Sequence, residues 1–298
     1  MIFVNSTSLN NPLNLGISKL GFNLLLLYHT IAILIGLVGN SLVLYGSIKY
    51  KSLAVDPVSI VLLEGLAALD LSVVFFFMSS TWLSLMAGGW VTGPVCCWIS
   101  GFASYVTTSS QMHVVAAISL YRLFTIVAPF RARDVTKRHG AVLLGGIVGL
   151  SAVLHLCYHA VGAHYVFDPH FGSCEISLTL APITYLLSMV CYWIVLPAVI
   201  LPISNIAILV IATIKGKSGR LPGRAALVTV SCVTWAFVFS ATPLVIRIGL
   251  QTLNPFHPIP SWYLLAAQEF LFLNPVLNPI IYTITNRSVS LTNKGDLT

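Results

Sequence analysis

Charged residues are scarce in this chain of 298 residues, at 8% of the sequence, whereas soluble domains carry about a quarter. The mean hydropathy is +0.92. Apolar runs near the roughly 20-residue length that crosses a bilayer recur at 22–47, 58–86, 94–127, 140–162, 181–214, 225–250 and 261–284. The scarcity of charge excludes a separable soluble domain. The seven runs predict an all-α membrane protein built as a seven-transmembrane helix bundle.

The basic residues are confined almost entirely to one side of this predicted bundle. The net charge is +7, and only Lys19 and Arg247 of the fifteen Lys and Arg residues fall on the other side. The remainder are Lys49, Lys51, Arg122, Arg131, Arg133, Lys137, Arg138, Lys215, Lys217, Arg220, Arg224, Arg287 and Lys294. The positive-inside rule makes the crowded side cytoplasmic, so we expect the N-terminus outside and the C-terminus inside. The pattern therefore indicates a lipid bilayer, and no nucleic acid, as the partner.

Several signatures of other membrane proteins are missing. Residues 1–20 lack the pattern of a cleavable signal peptide, so the first run is expected to direct insertion. No lysine lies between Lys217 and Lys294, which excludes the seventh-span Schiff base of a retinal photoreceptor. Neither an internal repeat of the transporter kind nor a nucleophile–base constellation is visible. We expect no enzyme activity, no cofactor and no metal site, since His155 and His159 have no evident third ligand.

Cysteines and a sequon mark the predicted outer side. Cys97 opens the third run and Cys174 precedes the fifth, where an oxidising compartment lets a disulfide persist. Cys96 is the alternative partner for Cys174. Cys97 is favoured because it stands 25 residues before Arg122, about seven helical turns, a length that crosses the bilayer. Asn5 begins the glycosylation sequon Asn-Ser-Thr on the same side.

Single polar and proline residues mark most of the runs, where they are costly in lipid unless another helix supplies partners. Residues 66–71 are similar to the LAxxDL motif of rhodopsin-like (class A) G protein-coupled receptors, and residues 121–129 to their DRYxxIxxP motif. Residues 278–282 read NPIIY, similar to the NPxxY motif. With Gly39-Asn40, Pro197 and Pro243 in register, the chain resembles this family from residue 22 to about 287.

The resemblance implies a multi-pass plasma-membrane receptor that transmits an extracellular ligand to a heterotrimeric G protein. It divides the chain into an extracellular segment at 1–21, a receptor domain at 22–284 and a short cytoplasmic tail at 285–298. The basic segments 126–138 and 215–224 are expected to bind the G protein. A non-signalling or decoy seven-helix receptor and a small-solute transporter stay open as alternatives.

The resemblance also assigns residues to a ligand pocket and a switch. The pocket residues are Ser104, Tyr105, Thr108, Met189, Trp193, Leu244, Val245, Ile248, Gln268 and Phe272, with helix packing as the alternative role of each. The switch residues are Asn40, Asp70, Gln111, Arg122, Asn205, Phe237, Pro243, Asn274, Asn278, Pro279 and Tyr282. Ser104 stands where amine receptors of the family carry aspartate, so a non-aminergic small molecule or peptide is the expected ligand.

The chain departs from the family pattern around Arg122 and Asp70. Tyr121 replaces the acid that precedes this arginine in relatives, and Gly223 supplies no acid in the sixth run. Both restraining acids are therefore missing, which predicts raised ligand-free signalling. Gln111 replaces the small serine that faces Asp70 in relatives, and its bulk fills space that a hydrated sodium ion would need.

Two further positions in the last two runs depart from the pattern or lack a role. Ala241 replaces the tryptophan that precedes the sixth-run proline by two residues in relatives. Its loss predicts a weaker response to ligand. Glu269 is an otherwise unexplained acid in the seventh run, and we consider it a candidate partner of Arg247.

Overall fold

The computed structural model describes residues 17–49, 56–160, 162, 164–177, 187, 188, 190–217, 224–253 and 259–295. Asn5, Met189 and Gly223 lie outside them. The helices are Lys19–Lys49, Pro57–Ser72, Ser79–Ala87, Gly93–Val127, Pro129–Ala132, Lys137–Ala160, Leu196–Lys217, Arg224–Leu253, Ser261–Leu271 and Asn274–Gly295, with π-helical turns at Val73–Met78 and Cys191–Val195.

Seven helical stretches of the described residues are long and apolar enough to cross a membrane. They are Lys19–Ser47, Pro57–Ala87, Gly93–Val127, Lys137–Ala160, Cys191–Ile214, Leu227–Leu250 and Ser261–Thr285, called spans 1 to 7 below. The predicted all-α bundle of seven spanning helices is therefore confirmed. The helix that completes span 7 continues to Gly295, beyond the predicted end of the last apolar run.

Span 3 forms the centre of the bundle and is buried along most of its length. Met112, Val115 and Ile118 of this span pack with Leu66 of span 2 and Phe237 of span 6 in the largest apolar cluster. Span 1 instead exposes a row of large apolar side chains, as a lipid-facing helix does. The core therefore lies where spans 2, 3 and 6 meet.

Small residues let neighbouring spans approach closely, as they do in membrane bundles generally. A Cβ atom on Gly39 of span 1 would lie 2.6 Å from the Cγ atom of Pro279 in span 7. A Cβ atom on Gly65 of span 2 would lie 2.5 Å from the Cδ2 atom of Leu144 in span 4. Glycine is therefore required beside the rigid ring of Pro279, whereas a Cβ atom on Gly65 would force the flexible side chain of Leu144 to shift.

A β-hairpin between spans 4 and 5 was not predicted. Strand β1 is Tyr165–Asp168 and β2 is Ser173–Ile176, paired antiparallel with Tyr165 opposite Ile176. Cys174 of β2 is bonded to Cys97, with the two Cα atoms 5.5 Å apart, which confirms Cys97 over the exposed Cys96. The end of the bundle that carries this hairpin is called the hairpin end, and the end at which span 3 reaches Arg122 the basic end.

Candidate functional site

The carboxylate of Asp70 joins three spans in the middle of the bundle. Asp70 is fully buried on span 2. Gln111 Nε2 of span 3 donates to its Oδ1 atom at 2.6 Å, and Asn278 Nδ2 of span 7 donates to its Oδ2 atom at 2.8 Å. Because each oxygen accepts from a different neighbouring span, any movement of span 7 against span 3 must change this carboxylate's hydrogen bonds.

Three further polar residues of the predicted switch, Asn40, Asn274 and Tyr282, form no hydrogen bond with Asp70 among the described residues. Asn40 Nδ2 donates to the carbonyl oxygens of Gly36 and Pro275, which ties span 1 to span 7. The side-chain amide of Asn274 and the hydroxyl of Tyr282 are buried and have no hydrogen-bond partner among the described residues. An unpartnered buried polar group costs about 1–3 kcal/mol. A rearrangement that supplies hydrogen-bond partners to these two residues would therefore be favourable.

Arg122 forms an ion pair at the basic end that was not predicted from the sequence. Its Nη1 atom lies 3.0 Å from Oδ2 of Asp56, and the arginine is largely buried. The other carboxylate oxygen of Asp56 accepts from the backbone nitrogen of Ser59 at 2.9 Å and caps the first helix of span 2. One aspartate therefore caps span 2 and holds span 3.

The prediction that Arg122 lacks a restraining acid is wrong. Tyr121 supplies no charge, as expected, but its phenol interacts with the carboxylate of Asp56 beside the arginine. The signal was present in the sequence, because aspartate followed by Pro57 is a helix-start pattern. The sequence does not show that the start of span 2 lies against the end of span 3.

Spans 3, 5 and 6 share a short polar chain one helical turn from Arg122. Ser119 and Thr234 place their hydroxyl oxygens 3.0 Å apart. Asn205 Nδ2 donates to Leu201 O at 2.8 Å and to Ser119 Oγ at 3.4 Å. Asn205 thus lies near the Arg122 region. The hydrogen bonds among Ser119, Asn205 and Thr234 link spans 3, 5 and 6 at the basic end.

The predicted switch residues of span 6 are Phe237 and its proline, Pro243. Phe237 is 2% exposed and packs with Ala241 in the largest apolar cluster. Pro243 lies inside the helix, and its carbonyl oxygen accepts a hydrogen bond from the hydroxyl of Tyr263 in span 7 at 3.0 Å. Span 6 is therefore tied to span 7 at its proline.

Glu175 of strand β2 lies buried against the polar groups of the hairpin end. The hydroxyl of Tyr105 donates to Oε2 of Glu175 at 2.8 Å, and Ser173 donates to Oε1 at 2.7 Å. The neighbouring Tyr165 packs its ring against Gly101, and burial raises the pKa of its phenol above the ordinary value. The hairpin therefore adds a carboxylate to the predicted pocket that register alone did not supply.

The predicted pocket residues separate into two groups. Tyr105 stacks on Trp193 of span 5, with ring centroids 5.3 Å apart, and Gln268 faces the hairpin turn. Phe272 instead packs against Phe77 of span 2 and His29 of span 1. The others serve mainly in packing: Ser104 and Thr108 are buried on span 3, Leu244 joins the Phe272 cluster, and Val245 and Ile248 are half-buried on span 6.

Glu269 meets span 1 and not span 6. Its Oε1 atom lies 3.4 Å from Nδ1 of His29, and its backbone oxygen accepts from the hydroxyl of Tyr28 at 3.0 Å. The suggested pairing with Arg247 is therefore wrong. The helical register places Glu269 one residue after Gln268, which turns it away from the hairpin toward span 1.

A protein-family model and several known receptors are similar to this chain. Residues 39–282 match the model described as 7 transmembrane receptor (rhodopsin family). The melatonin receptor type 1C of Xenopus laevis is 22% identical over 86% of this chain. The D(1)-like dopamine receptor of Oreochromis mossambicus is 34% identical over 48% of it, and the neuropeptide Y receptor type 2 of Mus musculus 31% over 44%. These matches cover 63%, 37% and 34% of the respective relatives, so the chain spans less than two thirds of their length.

Proposed function

The chain belongs to the rhodopsin family of seven-transmembrane receptors, which makes it a multi-pass plasma-membrane protein, and we propose that it transmits an extracellular ligand to a heterotrimeric G protein. In this proposal the hairpin end faces outside and the basic end faces the cytoplasm. The disulfide at the hairpin end supports this orientation because such bonds persist in oxidising compartments. The excess of lysine and arginine at the opposite end supports it independently.

The ion pair between Arg122 and Asp56 is the observation that carries this proposal. A buried arginine at the cytoplasmic mouth of a bundle is costly unless it is paired or used. In the resting receptor Asp56 pairs it. When the start of span 2 and the end of span 3 separate, the guanidinium becomes available to the G protein.

The ligand is proposed to be a non-aminergic small molecule or peptide. Ser104 donates its hydroxyl to the carbonyl oxygen of Ser100 in its own helix and offers no carboxylate to an amine. The carboxylate of Glu175 lies beside the neighbouring Tyr105, and its two oxygens already accept hydrogen bonds from Tyr105 and Ser173. An ammonium ligand would therefore have to displace existing donors.

Nucleotide exchange by purified G protein heterotrimers tests this function without a known ligand. The receptor in lipid nanodiscs carries Asp56→Asn, which frees Arg122. Charge reversal at the exposed Arg131 and Arg133 should lower exchange, by about tenfold for roughly 1.4 kcal/mol of lost charge complementarity. Reversal of the exposed Lys19 at the hairpin end is the matched control and should leave exchange unchanged.

Two outcomes would count against the proposal. Equal exchange with the Arg131 and Arg133 reversals and with the Lys19 reversal would remove this face as the G protein contact. No exchange with any class of heterotrimer, from a receptor that is folded in the nanodisc, would favour the non-signalling or decoy receptor.

A further inference from the structure

The turn of the hairpin inserts Phe171 into the bundle. Connections ordinarily run over the surface, yet Phe171 is only 2% exposed. The guanidinium carbon of Arg247 in span 6 lies 3.8 Å from the centroid of its ring. Gln268 Nε2 of span 7 donates to its backbone oxygen at 3.2 Å. Spans 6 and 7 therefore each present a donor group to this one residue of the connection.

The backbone conformation of the residue after Phe171 favours this insertion. Gly172 has a φ of 64°, in the left-handed region that glycine adopts at no steric cost. A Cβ atom there would lie 3.2 Å from the side chains of Ser84 and Leu85 in span 2. The hydroxyl of Ser84 donates to the backbone oxygen of Gly172. The turn thus fits closely between span 2 and the groups of spans 6 and 7.

The disulfide divides the segment into a fixed part and a removable part. Cys174 is bonded to Cys97, and Glu175 follows it directly, so Glu175 stays beside span 3. A chain extends at most about 3.3–3.6 Å per residue. Phe171 lies three residues before Cys174, so its Cα atom can lie up to roughly 10 Å from that of Cys174, and the bridge leaves it room to move. Glu175 is therefore held in place at the hairpin end by the adjacent disulfide, whereas the side chain of Phe171 can leave the bundle.

We propose that Phe171 is a built-in occupant of a ligand site at the hairpin end, and that this site takes a ligand with an aromatic ring beside a hydrogen-bond acceptor. The guanidinium of Arg247 attracts the face of a ring, and the amide of Gln268 donates to the acceptor. Within the described residues Arg247 has no carboxylate at ion-pair distance, which leaves its charge for the ring. The proposal rests on the proposed receptor function for its biological role.

Thiol labelling tests whether Phe171 closes the site. Thr81 is fully buried, and its hydroxyl oxygen lies 3.5 Å from Gln268 Nε2, so Thr81→Cys reports on access to the space beside that amide. The full chain in membranes, with Cys96→Ser, is treated with a methanethiosulfonate reagent that carries a trimethylammonium group. We expect Phe171→Ala to raise the labelling rate by about tenfold, because the ring contact that holds the turn is lost.

The neighbouring His170 provides the matched control. It is exposed at the same turn, and its Nδ1 atom lies 3.2 Å from the hydroxyl of Ser261. His170→Ala should leave the labelling rate unchanged. Equal rates for Phe171→Ala and the unaltered turn would overturn the proposal. If Phe171→Ala does not reach the surface, Phe171→Leu keeps the apolar bulk without the ring. No faster labelling of that variant would overturn the proposal equally.

Protection by a soluble probe tests the ligand class. Millimolar N-acetylphenylalanine amide carries a ring beside a carbonyl, as Phe171 does, and should slow labelling of the Phe171→Ala variant. N-acetylalanine amide has the same carbonyl without the ring and should not. Equal effects of the two amides would refute the ligand class. No G protein takes part in these measurements, so their failure is distinguishable from failure of the proposed receptor function.

Discussion

Replacing Asp56 by asparagine removes the charge that faces Arg122 and keeps the helix cap. One carboxylate oxygen of Asp56 caps span 2 through the backbone nitrogen of Ser59, and the other pairs with the arginine. Asparagine is as good a helix cap as aspartate. Asp56→Asn therefore isolates the ion pair. If the pair is made only in the resting state, its loss leaves the active state unchanged and ligand-free signalling rises.

The exposure of the two side chains bounds the size of this effect. The side chain of Arg122 is 9% exposed and that of Asp56 is 25% exposed. The pair thus lies between an exposed pair, worth about 0.2–1 kcal/mol, and a buried one, whose disruption costs about 3–5 kcal/mol. A loss of about 1–3 kcal/mol raises the ratio of active to resting receptors about five- to 150-fold. A receptor active about 1% of the time would become active roughly 5–60% of the time.

Second-messenger production without ligand measures the change, at matched surface expression. Asp134→Asn is the control, because Asp134 is exposed at the same end and its replacement alters the net charge equally. Asp56→Ala removes both the helix cap and the ion pair. Its thermal midpoint should fall below that of Asp56→Asn, because loss of the cap lowers the free energy of unfolding by about 1 kcal/mol. Signalling by Asp56→Asn that stays at the level of Asp134→Asn, in a receptor that couples to a G protein, would refute the restraint.

Three further substitutions test the packing and the polar centre, each by the thermal midpoint of the solubilised receptor. Cys97→Ser should lower the thermal midpoint, because loss of the disulfide lowers the free energy of unfolding by about 2–5 kcal/mol. An equal fall in the midpoint of Cys96→Ser would contradict the Cys97–Cys174 pairing. Gly39→Ala should cost about 1–3 kcal/mol by overpacking against span 7. Gly46→Ala, whose Cβ meets nothing within 4 Å, should be neutral, and a neutral Gly39→Ala would contradict this crossing. Replacing choline in the buffer by sodium should raise the thermal midpoint of Gln111→Ser more than that of the unaltered chain, because serine leaves room for a sodium ion. An equal rise in both proteins would contradict this prediction.

Hydropathy and cysteine position were sufficient to predict the bundle and its disulfide. A spanning helix must satisfy its backbone internally and be apolar over a fixed length, so seven runs predict seven spans. Cys97 and Cys96 are adjacent, and counting turns from Arg122 distinguished them correctly. These features follow from one-dimensional quantities, namely length, sidedness and helical periodicity.

Rotations and loop insertions were not predictable in the same way. Register placed Phe272 in the pocket, but the side chain packs between spans 1 and 2, because its direction depends on how span 7 is rotated. Asp56 is a visible helix cap whose partner depends on the separation of spans 2 and 3. The burial of Phe171 depends on groups from spans 6 and 7 that are more than seventy residues away along the chain.

Span 2 makes polar contacts at the basic end, in the middle and at the hairpin end of the bundle. Asp56 holds Arg122 at the basic end, Asp70 joins spans 3 and 7 in the middle, and Ser84 holds the hairpin turn. The π-helical turn Val73–Met78 lies between the last two, and such turns are frequent at functional sites. In relatives the acids that restrain the arginine belong to spans 3 and 6. Here the acid belongs to the span whose other end contacts the hairpin turn.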